Sequence, residues 1–295
     1  MERLPLPEAL VAQARSYAEG GATPAEPRDA ATVVLLRPGA AGPDLYLLRR
    51  QTSMAFAGGM CVFPGGGVDP RDFDSVLTED GLVDRGLWAG PSPAEWASRL
   101  GCEEPKARAL VCAAVRETFE ESGVLLAGAG PDSVVADTTG DDWEADRVAL
   151  ESREVSLTAF LEKRSLVLRT DLLGVWSGWL TPVFEPRRYR TWFFVARLPE
   201  GQVTRDVSSE SSSVMWAGAM DAVEQVERQE MLMMPPTWLT CLDVAQHADP
   251  DAVLAEARTR RVEMYTPEVV PAGEGFILST PPFYAALMAS RWPTR

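Results

Sequence analysis

Two apolar runs, "ATVVLLRP" (31–38) and "DLYLLRR" (44–50), are separated only by "GAAGP" and predict a β-hairpin. A third short strand is expected within "MCVFPGGGVDP" (60–70), which ends in consecutive glycines. From there to about residue 103 the chain is irregular, acidic and rich in tryptophan. One helix is predicted inside that stretch, over "SPAEWASRL" (92–100), with Ser92 as N-cap and Glu95 as its capping-box partner. Residues 104–122 carry the clearest helical period and stop at Gly123, a left-handed cap. Beyond it the pattern gives a helical patch near 142–164, strands at about 173–184 and 190–198, and a short strand at "SVMWAG" (213–218). Helices follow at about 219–229, 236–247 and 250–261. Ahead of the hairpin, residues 1–29 read as a short helix and a Pro/Gly/Ala linker.

Strands and helices mix here without strict β-α-β alternation. That predicts an α/β chain of the α+β type, with a mixed β-sheet sandwiched between helices rather than a doubly wound sheet. The expected organisation is an N-terminal helix and linker over 1–29 and one enlarged domain over 30–295. The domain carries an insertion at about 73–103 and a helical C-terminal part from about 230, which either covers the domain or forms a homodimer interface.

Composition narrows the partners. Hydrophobic residues make up 46 % of the chain, enough for a sizeable core. With 43 acidic against 28 basic residues the net charge is −15, which argues against nucleic acid as a partner. An anionic small molecule remains compatible, because a metal ion or a local basic pocket reverses the sign of one site. Cys61, Cys102, Cys112 and Cys241 form no C-x-x-C pair, so neither a zinc site nor a disulfide framework is expected. No stretch reaches the roughly 18 apolar residues of a membrane span. The N-terminus shows no continuous apolar core of a signal peptide, and "WPTR" at the end is unlike the S-K-L type of address. A cytoplasmic protein is the expectation.

The chemistry concentrates in "VRETFEESGV" (115–124). At about 100° per residue, Glu117, Glu120 and Glu121 share one sector roughly 100° wide, opposite Val111, Cys112, Val115 and Phe119. Three like charges on one face repel. Arg116, four residues before Glu120, can pair with it but cannot neutralise three anions. Clustered oxygen ligands suit a hard divalent cation such as Mg²⁺ or Mn²⁺. A solvated acidic helix face would look the same, so what precedes the helix decides.

What precedes it is "FPGGG" (63–67), where glycines let the backbone turn sharply and approach an anion. Together the two segments resemble the Nudix hydrolase family, whose signature is G-x5-E-x7-R-E-U-x-E-E-x-G-U, U being a bulky apolar residue. Arg116, Glu117, Phe119, Glu120, Glu121, Gly123 and Val124 match its second half, and Thr118 departs from an apolar position. Gly66 matches the opening glycine, and Asp72 falls where the family has its first glutamate. Asp72 and Arg116 stand 44 apart instead of 8, so about 36 extra residues interrupt the motif and leave open whether Asp72 takes part. The interrupted form resembles a branch that includes the peroxisomal coenzyme A diphosphatases. The matching stretches are "LLRRQTSMAFAGGMCVFPGG" (47–66), "WLTPVFEPRRYRTWFFVARLP" (179–199) and "MMPPTWLTCL" (233–242).

The resemblance implies metal-dependent hydrolysis of a pyrophosphate bond in a nucleoside diphosphate linked to another moiety. Coenzyme A or an acyl-coenzyme A is the substrate it points to, giving 3′,5′-ADP and (acyl-)phosphopantetheine. It implies Glu117, Glu120 and Glu121 as metal ligands, Glu120 or Glu121 as base, and Arg116 as the residue that orients Glu120. Gly65, Gly66 and Gly67 would offer backbone N–H groups near metal-bound oxygens. Arg50 and Arg188 are candidates for substrate phosphates, with Arg190 departing from the acidic residue that relatives carry there. Glu210, in "SSESSSVMW", is a candidate extra ligand or base. Trp88 and Trp96 suggest that the insertion forms a lid over the acyl or pantetheine arm. His247, the one histidine, is read as filler. Competing readings are hydrolysis of ADP-ribose, a dinucleotide or a nucleotide sugar, and a non-catalytic nucleotide-binding module.

Overall fold

The computed structural model of the protein describes residues 8–21, 23–54, 57–77, 82–83, 86–273 and 275–291. Helix α1 (Glu8–Gly20) precedes strand β1 (Arg28–Pro38), and β2 (Pro43–Arg50) returns antiparallel to it with Leu36 opposite Leu45. The expected third strand is two short pieces, β3 (Cys61–Val62) on β2 and β4 (Gly65–Gly67) on β1. Helix α2 (Pro70–Leu77), strand β5 (Trp88–Ala89) and helix α3 (Pro93–Leu100) follow, and α3 carries both bonds of the Ser92–Glu95 capping box. Helix α4 (Glu104–Ser122) ends at Gly123, whose φ of 73° and N–H bond to the Phe119 carbonyl make the predicted cap.

After β6 (Ala127–Gly128), the helical patch resolves into α5 (Asp141–Glu151) and α6 (Leu157–Arg164). Strand β7 (Val167–Arg169) and a 3-10 turn lead into β8 (Leu173–Leu180), β9 (Tyr189–Arg197) and β10 (Ser211–Gly218). Helices α7 (Ala219–Glu227), α8 (Pro235–Val244) and α9 (Pro250–Ala257) come next. The part expected to be helical from about 230 also holds strands β11 (Met264–Tyr265), β12 (Val269–Ala272) and β13 (Gly275–Leu278) before α10 (Pro282–Arg291).

These elements divide into two compact units built from interleaved segments. One takes the described parts of Met1–Asp29, Gly178–Thr191 and Met264–Arg295, so α1 shares a unit with the C-terminal segments. There β11 runs parallel to the end of β8, β12 and β13 form a hairpin, and Trp179 stacks on Tyr284 with ring centroids 5.7 Å apart.

The other unit, Ala30–Ser177 and Trp192–Glu263, holds the mixed sheet in the order β10-β2-β1-β9-β8. Val33, Val34, Leu35 and Leu36 of β1 are all buried, which explains why that strand reads as a continuous apolar run rather than an alternation. Helix α4 packs against α2, α3 and β4, and it is buried nearly all round, on its charged side as well as its apolar one. Thr118, the departure from the signature, is fully buried and spends its hydroxyl on the Ala114 carbonyl at 2.7 Å. The small sheet β5-β7-β6 lies in this unit too. Trp96 of α3 is fully buried with its ring 6.0 Å from that of Phe194, and Trp88 bonds the Pro91 carbonyl. Trp96 is therefore core, placed there by the capped helix α3, and is not available to a lid.

Candidate active site

Three glycines bring the sheet against α4. Gly65, Gly66 and Gly67 of β4 lie opposite Thr32, Ala31 and Ala30 of β1. A Cβ at Gly66 would lie 2.5 Å from either carboxylate oxygen of Glu117, and one at Gly65 would lie 2.5 Å from the Ala31 carbonyl oxygen. The Gly65 N–H donates to Glu121 Oε2 at 2.7 Å, and the Gly67 carbonyl accepts from Arg116 at 3.1 Å. These glycines sit against the acid cluster itself. They shape and hold the acid cluster, and the Gly65 amide is already committed to a side chain rather than left for a phosphate.

Arg116 is the hub. Its Nε and Nη2 donate to the two oxygens of Asp72 at 3.0 and 2.8 Å, while Nη1 reaches Glu117 at 2.7 Å and Glu120 at 3.2 Å. With the Gly67 carbonyl, each of its five N–H groups has an acceptor. The interruption of the motif thus leaves Asp72 in place, because α2 turns it back onto α4, and the separation of 44 from Arg116 says nothing against its role. Asp72 is held in turn by the Asp69 backbone N–H at 2.8 Å.

The side chains of Asp72, Arg116 and Glu120 are 2, 6 and 8 % exposed, so their charges interact in a largely dry setting. Burial would lower the Arg116 pKa, but the Asp72 hydrogen bond and the charges of Glu117, Asp72 and Glu120 outweigh it and raise it. Burial pushes Glu120 up to about 7, helped by Glu117 and Asp72 and opposed by Arg116. Glu117 is raised by burial and by Asp72 and Glu210, against the pull of Arg116. Glu121 is raised further, by burial, Glu117 and Glu210, with the Gly65 N–H and Arg50 in opposition.

Arg50 and Glu210 join the cluster from the sheet edge. Ser211 of β10 lies opposite Arg50 of β2, and a bulge between Ser211 and Ser213 turns the strand start toward that end. Arg50 Nη2 binds Glu210 Oε2 at 2.7 Å, and Arg50 Nε is buried with no hydrogen-bond partner. Five carboxylates, Asp72, Glu117, Glu120, Glu121 and Glu210, therefore share two guanidiniums, Arg50 and Arg116. Arg188 belongs to the other unit, where its guanidinium is taken by the carbonyls of Thr181 and Ala25, and Arg190 pairs with Asp29. His247 pairs with Glu256 and packs on Trp176.

The excess of buried acid suits a cation. Glu120 Oε1 is a buried carboxylate oxygen with no donor, and burial first, then neighbouring carboxylates, raise the pKa of all three glutamates. Among the described residues no three acidic, His or Cys side chains already converge as a ligand set, since Arg116 holds Glu117 and Glu120 and Gly65 holds Glu121. Rotation of these long side chains is what binding a cation requires.

A family model described as the NUDT19 Nudix domain matches residues 27–242. The chain belongs to this Nudix family. It is 26 % identical to the acyl-coenzyme A diphosphatase NUDT19 of Gallus gallus, over 86 % of this chain and 78 % of that one. The human protein of the same name is 28 % identical over 72 % of this chain and 63 % of its own length. The crystal structure of a Nudix hydrolase from Alicyclobacillus acidocaldarius superposes with a TM-score of 0.65 at 25 % identity, covering 81 % of this chain and 98 % of that one. The mixed sheet with flanking helices is thus a Nudix fold, and the chain is a Nudix hydrolase.

Two further residues of this Nudix hydrolase carried no signal in the motif. Arg147 of α5, 3 % exposed, donates to the Glu120 backbone carbonyl at 2.7 Å and pairs with Glu144 and Glu151. Glu151 in turn accepts from the Ser209 hydroxyl at 2.7 Å, next to Glu210. An arginine in an i, i+3, i+4 pattern with acids reads as an exposed helix face, and only the fold turns it inward.

Proposed function

We propose that the enzyme hydrolyses the pyrophosphate of coenzyme A or an acyl-coenzyme A, giving 3′,5′-ADP and phosphopantetheine or its acyl derivative, with Mg²⁺ or Mn²⁺. The observation that carries the chemistry is the buried, unpartnered Oε1 of Glu120 inside a cluster of excess acid. The substrate class is supported by the names of the Gallus gallus and human relatives. A divalent cation on Glu117, Glu120 and Glu121 would neutralise diphosphate charge and favour ionisation of water.

The remaining work falls to the chain. Arg116 holds Glu117 and Glu120 on one guanidinium and is itself anchored by Asp72, so the carboxylates are placed before substrate arrives. Glu120 takes the proton of the attacking water through Oε1, which no donor occupies, whereas Glu121 is engaged by the Gly65 N–H. Arg50 offers its guanidinium to a substrate phosphate when Glu210 releases it, and Glu210 serves as an additional ligand or base. No phosphate-binding role is proposed for Arg188. Nucleic acid and membrane are not proposed as partners; no helix among the described residues is long and apolar enough to cross a membrane. Cys61, Cys102, Cys112 and Cys241 form no disulfide, in keeping with a reducing, cytoplasmic setting.

The test is a panel of coenzyme A, acetyl-coenzyme A, ADP-ribose, NADH and a sugar nucleotide with Mg²⁺, run beside Glu120→Gln, with products identified by mass. Formation of 3′,5′-ADP by the native protein alone is expected. Cleavage of another nucleotide instead would retire the coenzyme A assignment, and no turnover with either metal would retire catalysis.

A further inference from the structure

Away from the acid cluster, many of the described arginines are paired with carboxylates, among them Arg37, Arg108, Arg164, Arg169 and Arg205. Three that have no such pairing among the described residues gather with Arg260 in one place. Arg99, at the end of α3, and Arg258, Arg260 and Arg261, in the segment after α9, line one open groove of about 320 Å³. Its walls are tied together by the Val262 N–H, which donates to the Arg99 carbonyl at 2.8 Å.

The acids nearby are already committed. Glu95, the only carboxylate in the lining, turns back to the Ser92 N–H and hydroxyl at 2.7 and 2.9 Å. Arg260 takes Asp243 at 2.7 and 3.1 Å together with Glu256, and its guanidinium lies 3.4 Å from the centre of the Trp176 ring. Arg99 rests on the Trp96 ring at 5.5 Å. Arg99, Arg258 and Arg261 have no carboxylate in ion-pair range among the described residues. Helix dipoles account for a cation at the ends of α3 and α9, hence for Arg99 and Arg258. They do not account for Arg261 beyond both ends, nor for the convergence of like charges on a concave surface. The volume is at the lower end of roughly 300–1,000 Å³ for small-ligand pockets, and guanidinium forks match phosphate oxygens.

We propose that this groove is an oligophosphate-binding site distinct from the acid cluster, taking a di- or triphosphate group, either free or carried by a nucleotide. Arg99, Arg258 and Arg261 supply the charge, and Arg260, locked by Asp243 and Trp176, fixes the floor.

The test titrates inorganic tripolyphosphate, and separately ADP, into the EDTA-treated protein by calorimetry, so that metal-mediated binding at the acid cluster does not contribute. Saturable 1:1 binding that weakens with added salt is expected. It should fall by about tenfold or more in Arg258→Glu/Arg261→Glu and in the milder Arg258→Gln/Arg261→Gln, yet be unchanged in Glu120→Gln. Tighter binding of ADP than of tripolyphosphate would identify a nucleotide as the ligand, and the reverse a free oligophosphate. Absence of saturable binding at millimolar ligand would overturn the proposal. So would binding that both double variants retain within about twofold while keeping the native melting temperature.

Discussion

A methyl group added at Gly65 and one added at Gly66 would be felt by different neighbours. At Gly65 it meets backbone, the Ala31 carbonyl at 2.5 Å and Thr32 Cα at 2.7 Å, so Gly65→Ala should cost roughly 1–3 kcal/mol in urea unfolding. At Gly66 the nearest atoms are the carboxylate of Glu117, the end of a side chain rather than backbone, so Gly66→Ala should fold nearly as well but need about tenfold more Mg²⁺ for half-maximal activity. Equal stability losses in the two variants would contradict this division. Glu120→Gln should lower kcat by roughly 10²–10⁴-fold, the range for a lost acid–base group. The sequence made Arg116, Glu117, Glu120 and Glu121 legible, because helix periodicity fixes their shared face. It left Asp72 undecided, because a bidentate contact across 44 residues depends on how α2 turns back, which no local pattern encodes. Gly65–Gly67 were legible as glycines with a purpose, but the closeness of β4 to α4 decides what that purpose is.

Helix α4 is the element on which the site is built, and both sides of its C-terminal half are braced. Gly123 stops it in a left-handed conformation, and a Cβ there would meet the Arg205 guanidinium at 2.8 Å. Gly123→Ala should therefore destabilise by about 1–2 kcal/mol, from φ alone before any displacement of Arg205. On the other side, Arg147 of α5 joins the Glu120 carbonyl to Glu151, and Glu151 joins Ser209 beside Glu210. Arg147→Leu leaves Glu151 without its cation, Glu144 keeping Arg205, and removes the donor to the Glu120 carbonyl; it should cost about 1–3 kcal/mol, with a larger loss of kcat than Glu144→Gln. Matching activity losses in these two variants would show that the bond to Glu120 is not what matters. The hairpin, α3 with its capping box and α4 with its terminal glycine were read from periodicity and caps, since each spans enough residues to show a period. Strands β5, β6 and β11, two residues each, are too short to alternate. The tryptophans of the insertion misled for a related reason, since an aromatic in an acidic stretch looks exposed until the helix that carries Trp96 is seen packing inward.

Across the whole molecule, the acid cluster sets a conflict between folding and function that pH should expose. A carboxyl whose folded pKa is raised binds its proton more tightly when folded. Its contribution to stability is full below the unfolded value of about 4.5 and is lost as pH rises through the folded value, about 7 for Glu120. Glu117 and Glu121 shift in the same direction. Carboxyls held low act oppositely: Asp69, lowered by its Arg71 hydrogen bond, contributes above its unfolded value and loses that in acid. The EDTA-treated protein should therefore lose stability between pH 5.5 and 8, over and above any global trend, by about 2–4 °C in Tm for each 1 kcal/mol. Glu120→Gln, with a neutral amide in place of a carboxyl that burial makes harder to ionise, should lose less. A divalent cation replaces those protons, so saturating Mg²⁺ should raise Tm more at pH 8 than at pH 5.5, its binding energy being added to folding. Mg²⁺ shifts of the same size at both pH values, or in native protein and Glu120→Gln alike, would mean that the ion binds elsewhere and that the buried glutamates are not its ligands.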